Sequence, residues 1–222
     1  MIHEHGFVRL DDAMADDLSV VNAARVSFGD RREVMGDADE GLINFLMRER
    51  HGTPFEHNSF RFHVKCPIFV AREWFRHRIG SFNEISGRYT RLDNAGYVPV
   101  GEYCRKQTGK PGSYTFEPLD DELAEQVSEV INQSNQAAFR TYNYLLERGV
   151  AKEIARTVLP VSTFTEFYWT VNARALMNFL SLRTDSTAQR EIRDYAGAIE
   201  YSFKEKMPVT FDAWEAHGRV SP

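Results

Sequence analysis

Residues 59–66, SFRFHVKC, alternate without a fault: Phe60, Phe62, Val64 and Cys66 fall on one side, Ser59, Arg61, His63 and Lys65 on the other. Successive side chains of a strand point to opposite faces, so this run predicts a strand with one buried face and makes Cys66 a core residue. Elsewhere the period is helical. After a short strand at 6–10, residues 13–26 carry Ala, Leu and Val at helical spacing. A second helix is expected over 39–51, with Asp39 as its cap, Leu42, Phe45 and Leu46 on one face, and Gly52 and Pro54 as its stop. Pro67 suits a first helical turn, where its missing N–H is not needed, and opens a helix running to about His77. A turn around Gly80 leads into an extended segment at 85–92.

Residues 100–119 hold Gly101, Gly109, Pro111, Gly112 and Pro118, which predicts a long exposed loop. A long helix follows over 120–148, closed by Gly149, and a shorter one over 150–158, closed by Pro160. Residues 161–171 are β-branched and aromatic, hence a strand, and helices over 172–183 and 187–206 complete the pattern. Strands separated by helices without a βαβ rhythm predict an α+β fold, a central, mainly antiparallel sheet flanked by helices. No repeat or low-complexity segment divides the chain, so 1–222 reads as a single domain with 101–119 as its exposed loop.

Composition narrows the class. Apolar residues make up 42% and aromatics 13% of 222 residues, enough for a substantial core. A net charge of −5 and a pI near 5.8 argue against a general nucleic-acid binder, which needs a basic face. No apolar run approaches the roughly 20 residues that span a bilayer, and the first residues lack the apolar stretch of a signal peptide. Two cysteines make no disulfide framework, so a cytoplasmic protein is expected.

Against this acidic background residues 76–88, RHRIGSFNEISGR, put three arginines, a histidine, two serines, an asparagine and a glutamate into thirteen positions. Arg72 and Arg91 flank the run. Positive charge near a helix C-terminus complements the helix dipole, which explains one arginine of the cluster but not five. Ser81, Asn83, Ser86 and Gly87 add short donors and open backbone, features of an anion nest. The mixture suits one shaped, phosphorylated molecule better than a polymer. His77, between two arginines, is expected to be neutral.

Other segments carry polar groups at informative spacing. HGTPFEH at 51–57 brings His51, Thr53, Glu56 and His57 to a Gly/Pro bend; its spacing is not that of a zinc site, and no metal is expected. Cys104 stands beside Arg105 and Lys106, which would favour a thiolate, but no base accompanies it. NARALMNFLSLR at 172–183 places Asn172, Arg174 and Asn178 at a helix opening, with Arg174 and Asn178 on one face. Arg183 is nine residues past Arg174, a rotation of about 180° at 3.6 residues per turn. Either the helix ends before Arg183, or the two arginines serve different ligands or different copies of the site, which favours a site shared between subunits. Neither a Rossmann nor a P-loop motif is present.

RHRIGSFNEISGR resembles the RHRxxSxNxxSxR signature of the flavin-dependent thymidylate synthases, matched at Arg76, His77, Arg78, Ser81, Asn83, Ser86 and Arg88. HGTPFEH, RTVLP at 156–160 and NARALMNFLSLR resemble that family's other ligand segments in the same order. The resemblance implies a homotetramer with shared sites that makes dTMP from dUMP, using methylenetetrahydrofolate, FAD and NADPH. Thr53, Arg76, His77, Arg78, Glu84, Asn172, Arg174 and Asn178 would contact the flavin. Glu73, Arg76, Glu84, Ser86, Gly87, Arg88, Arg156 and Arg183 would hold dUMP. Arg183, beside the uracil, would stabilise the anion developing there and is the candidate catalytic residue. The family pattern has Gln where this chain has Glu73, and an ionised carboxylate donates no hydrogen bond. Two other readings stay open: an arginine-rich nucleic-acid module, and a flavoprotein that oxidises NADPH without methyl transfer.

Overall fold

The computed structural model describes residues 1–222. In chain order it runs β1 (Phe7–Met14), α1 (Asp17–Arg25), α2 (Asp37–Arg48), α3 (Thr53–Glu56), β2 (Ser59–Pro67), α4 (Ile68–Trp74) and β3 (Ser81–Glu84). Then come β4 (Arg105–Lys110), β5 (Ser113–Pro118), α5 (Asp121–Glu147), α6 (Lys152–Ala155), β6 (Phe164–Asn172), α7 (Ala173–Arg183), α8 (Arg190–Lys206) and α9 (Pro208–Ala216). Four strands form one sheet in the order β1-β2-β6-β3, in which β1–β2 and β3–β6 are antiparallel. The fold is α+β, as the pattern predicted.

Two compact units divide the chain: residues 1–65, 72–84 and 166–222, and residues 66–71 with 85–165. The first holds the aromatic core. Phe60, Phe62 and Val64 of β2 are fully buried, as the alternation required. Trp74 meets Trp169 at 5.4 Å and Phe179 at 4.9 Å, which ties the end of α4 to β6 and α7. Edge-to-face and tilted contacts of this kind add to plain area burial. Helices α7 and α8 pack together, α8 lies on β1, and α9 packs against α2 and α8.

In the second unit the 27-residue α5 carries a buried polar anchor. Asn135 donates to Tyr97 O at 3.1 Å and accepts from Ser162 Oγ at 2.6 Å. Tyr142 is fully buried, and its hydroxyl accepts from Leu92 N at 3.1 Å. Phe69 packs against the buried cluster of Ala95, Tyr97 and Phe164.

Several local expectations change. Residues 100–119 are exposed but not a loop: after a 3-10 turn at Gly101–Tyr103, β4 and β5 form an antiparallel hairpin. Gly109 and Gly112 take φ of 94° and 85°, which only glycine adopts without strain, and Thr108 and Thr115 bond across the strands at 2.6 Å. Cys104 is buried rather than displayed, its Sγ within 3.4 Å of Pro99 O. Strand β1 continues to Met14, because Arg61 of β2 pairs with Asp11 at 2.8 Å and Asp12 at 3.3 Å; α1 starts only after Asp16 caps Ser19 N. Asp39 does not cap α2. It sits in the first turn, where its carboxylate accepts from Gly36 N at 2.9 Å and pairs with Arg25 at 2.6 Å. Helix α4 stops at Trp74, the extended segment is β3 rather than 85–92, and α9 follows α8.

Candidate active site

The RHR run occupies the connection between α4 and β3. Gly80 closes that connection: a Cβ there would lie 2.8 Å from Trp169 Nε1 and 3.0 Å from Thr170 O, so only glycine lets β3 approach β6. Arg76 and Arg78 are exposed, while His77 turns inward and meets Phe179 edge-on at 5.0 Å. From the other side, α7 is set by Asn172, whose Oδ1 caps the helix by accepting from Ala175 N at 2.8 Å. The cap uses the amide oxygen and leaves the chemistry of the amide nitrogen to a ligand.

These two elements face each other across a cavity of about 650 Å³ within the first unit. Seven residues singled out in the sequence line it: Arg76, His77, Arg78, Asn172, Arg174, Asn178 and Arg183. Helix α7 continues through Arg183, which removes the expectation that it ends earlier, and both Arg174 and Arg183 line this cavity despite their opposed rotation. The cavity extends along the helix for the roughly 13 Å that nine residues rise, and long side chains reach it from either flank. Glu56, Ile79, Ala175, Leu182, Ser221 and Pro222 complete the wall. Glu56 belongs to the HGTPFEH bend, whereas nothing in the sequence pointed to Ser221 or Pro222.

Two arginines are held in defined places. Arg174 donates from Nη1 to Glu56 Oε1 at 2.5 Å and from Nε to Pro222 O at 2.6 Å. Its guanidinium runs through space that a Cβ on Gly52 would fill, which is the structural reason for glycine in HGTPFEH. Arg183 donates from Nε to His77 Nε2 at 3.0 Å and from Nη1 to Glu73 Oε2 at 3.3 Å. Because His77 accepts at Nε2, its proton resides on Nδ1.

Burial, aided by the Arg183 charge, pulls the His77 pKa down to about 4. His77 is therefore neutral at physiological pH, but through burial and Arg183 rather than through the arginines flanking it. Burial pushes the Glu73 carboxyl above its ordinary range; Arg183 opposes this and Glu191 adds to it. Four guanidinium groups against the side-chain carboxylate of Glu56, with two asparagine amides and a neutral imidazole, give the wall the donors that an anionic, ring-bearing ligand needs.

The other residues from the sequence lie outside that wall. Glu73 stands behind Arg183, Thr53 opens α3 and is exposed, and Glu84 ends β3 opposite Phe167. Ser86, Gly87, Arg88 and Arg156 belong to the second unit. There Arg88 pairs with Glu153 at 3.2 Å, and a Cβ on buried Gly87 would come within 3.2 Å of Arg156 Cδ.

A cationic cavity built from a turn and the length of one helix has the chemistry of a small-molecule site of the enzyme type. Residues 9–209 match the Thy1 family, described as thymidylate synthase complementing protein, and the chain belongs to that family. It is 51% identical over 213 residues to the flavin-dependent thymidylate synthase of Thermosipho africanus, covering 96% of this chain and 92% of that protein. The enzyme of the same name from Thermus thermophilus is 47% identical over 214 residues, covering 96% of this chain and 77% of its own. Among solved structures, the UMP/dUMP methylase PolB from Streptomyces cacaoi bound with 5-Br dUMP superposes with a TM-score of 0.91 at 46% identity, over 98% of this chain and 97% of that one. No helix of this chain is long and apolar enough to cross a membrane.

Proposed function

We propose that this chain is an FAD-dependent thymidylate synthase that converts dUMP to dTMP, with methylenetetrahydrofolate as one-carbon donor and NADPH as reductant. The observation that carries the reading is the convergence of Arg76, His77, Arg78, Asn172, Arg174, Asn178 and Arg183 on one cavity. The donor set fits a flavin dinucleotide: cations suit its diphosphate, and amides and a neutral imidazole suit its ring edge. Bound FAD, once reduced by NADPH, would supply the hydride. Arg76, Arg78, Arg174, Asn172 and Asn178 hold the cofactor with Thr53, and His77 contacts it without bringing a charge.

Arg183 supplies the charge that stabilises the electron-rich uracil, since a preorganised cation beside a developing anion lowers the barrier most. Ser86, Gly87, Arg88 and Arg156 take the nucleotide phosphate, each charge-assisted bond contributing about 1.5–3 kcal/mol. Glu84 serves both ligands. The enzyme acts as one catalytic domain over 1–222, assembles as a homotetramer with shared sites, and works in the cytoplasm without nucleic acid. Purified protein is expected to be yellow and to release the C5 hydrogen of dUMP when given NADPH and methylenetetrahydrofolate. Colourless protein that stays inactive after added FAD overturns the reading.

A further inference from the structure

Glu73 forms none of the cavity wall, yet its carboxylate meets the guanidinium that does. Arg183 spends one N–H on each of three acceptors: Glu73 Oε2 at 3.3 Å, the Glu73 carbonyl at 3.4 Å and His77 Nε2 at 3.0 Å. Of the five N–H bonds of a guanidinium, two remain, one on each terminal nitrogen. We propose that Glu73 is a positioning residue: with the neutral His77 ring it clamps Arg183 so that those two donors serve the cavity, and the clamp is tightest while Glu73 is ionised. The inference rests on the function proposed above, in which Arg183 stabilises charge on the uracil.

Two charged groups act on the Glu73 carboxylate, Arg183 from α7 and the buried Glu191 from α8, and His77, just beyond the end of α4, shares Arg183 with it. Burial and the like charge of Glu191 make Glu73 take up a proton at higher pH than an exposed glutamate, against the pull of Arg183. The sign follows. Above that point a carboxylate accepts a charge-assisted bond and Arg183 is fixed; as pH falls through it, the bond becomes neutral and weaker and Arg183 loosens. Glutamine at this position keeps an acceptor oxygen of the same reach but carries no charge at any pH.

The test compares wild-type holoenzyme with E73Q and E73D across the pH range in which each stays folded, with C5 tritium release from dUMP as the activity readout. In the wild type kcat falls as pH drops through the Glu73 titration. E73Q is expected to lose about tenfold in kcat at neutral pH, with KM for dUMP within about twofold, and to lack that acid limb. E73D keeps a titrating carboxylate but is one methylene too short, so it loses kcat and keeps a limb. The second readout needs no flavin: in cofactor-stripped protein the ¹⁵N resonance of His77 Nε2 moves with pH through the same window in the wild type and stays still in E73Q. An E73Q enzyme with the wild-type pH profile in both readouts overturns the clamp. A loss confined to KM also overturns it, making Glu73 a direct nucleotide ligand. Wild-type holoenzyme that binds flavin but releases no tritium refutes the proposed function and removes the catalytic role of the clamp, even where the His77 resonance still titrates.

Discussion

Acidification is expected to destabilise the fold through His77, and the size of the effect follows from its surroundings. An ordinary histidine titrates near 6.5; here burial, with Arg183 3.0 Å away, holds the folded value at about 4. At pH 7 the ring is neutral in both the folded and the unfolded chain, so it contributes no pH dependence. Below 6.5 the unfolded chain gains a proton that the folded chain refuses. Stability then falls with a slope of at most about 1.4 kcal/mol per pH unit until the folded value is reached, and solvent screening of the half-buried ring reduces the total to about 2 kcal/mol. That is a measurable share of the 5–15 kcal/mol typical of a domain. The assay is guanidinium denaturation of cofactor-free protein followed by circular dichroism at a series of pH values, for wild type and H77N. Other histidines and carboxylates titrate in both proteins, so the difference between the two curves is the quantity of interest. It should be flat above pH 6.5 and shrink below it. A His77 imidazole that titrates near 6.5 by NMR, or a difference independent of pH, refutes the reasoning.

Three further perturbations separate roles. G52A should leave the fold intact, because the obstructed group is a side chain and not backbone, yet displace Arg174 and weaken flavin binding by about tenfold in an absorbance titration. R183A should cost roughly 10²–10³ in the rate of C5 hydrogen release while the protein remains yellow; full activity would remove this arginine from the chemistry. Y142F leaves the amide of Leu92 without its acceptor and should lower unfolding stability by about 1–3 kcal/mol, read as a shift in the denaturation midpoint.

The cavity was legible in the sequence to the extent that its residues are local. Asn172, Arg174 and Asn178 follow from one helix opening, and RHR from one turn. Ser221 and Pro222 were not legible, since they join the wall through Arg174: Nε donates to Pro222 O, and Ser221 Oγ donates to Arg174 O at 2.9 Å. Glu73 was visible as a residue but not as a partner of Arg183, a contact across 110 positions.

The amino-acid pattern by itself determined the buried face of β2, the α+β class, the long α5 and the polar segments that assemble the site. Each rests on periodicity or capping among near neighbours. Tertiary structure decided the rest. The β4–β5 hairpin is exposed on both faces, so it carries no apolar alternation for a period-2 reading to detect. Helix α9 has no cap of its own; Asp17, near the opposite end of the chain, accepts from Val209 N at 3.0 Å and Thr210 N at 2.8 Å. Arg174 and Arg183 point apart on an ideal helix and yet share a cavity, with Glu56 in the wall and Glu73 behind it fixing the two guanidiniums from separate elements. Local sequence sets which residues share a face, and partners distant in the chain set where a long charged side chain comes to rest.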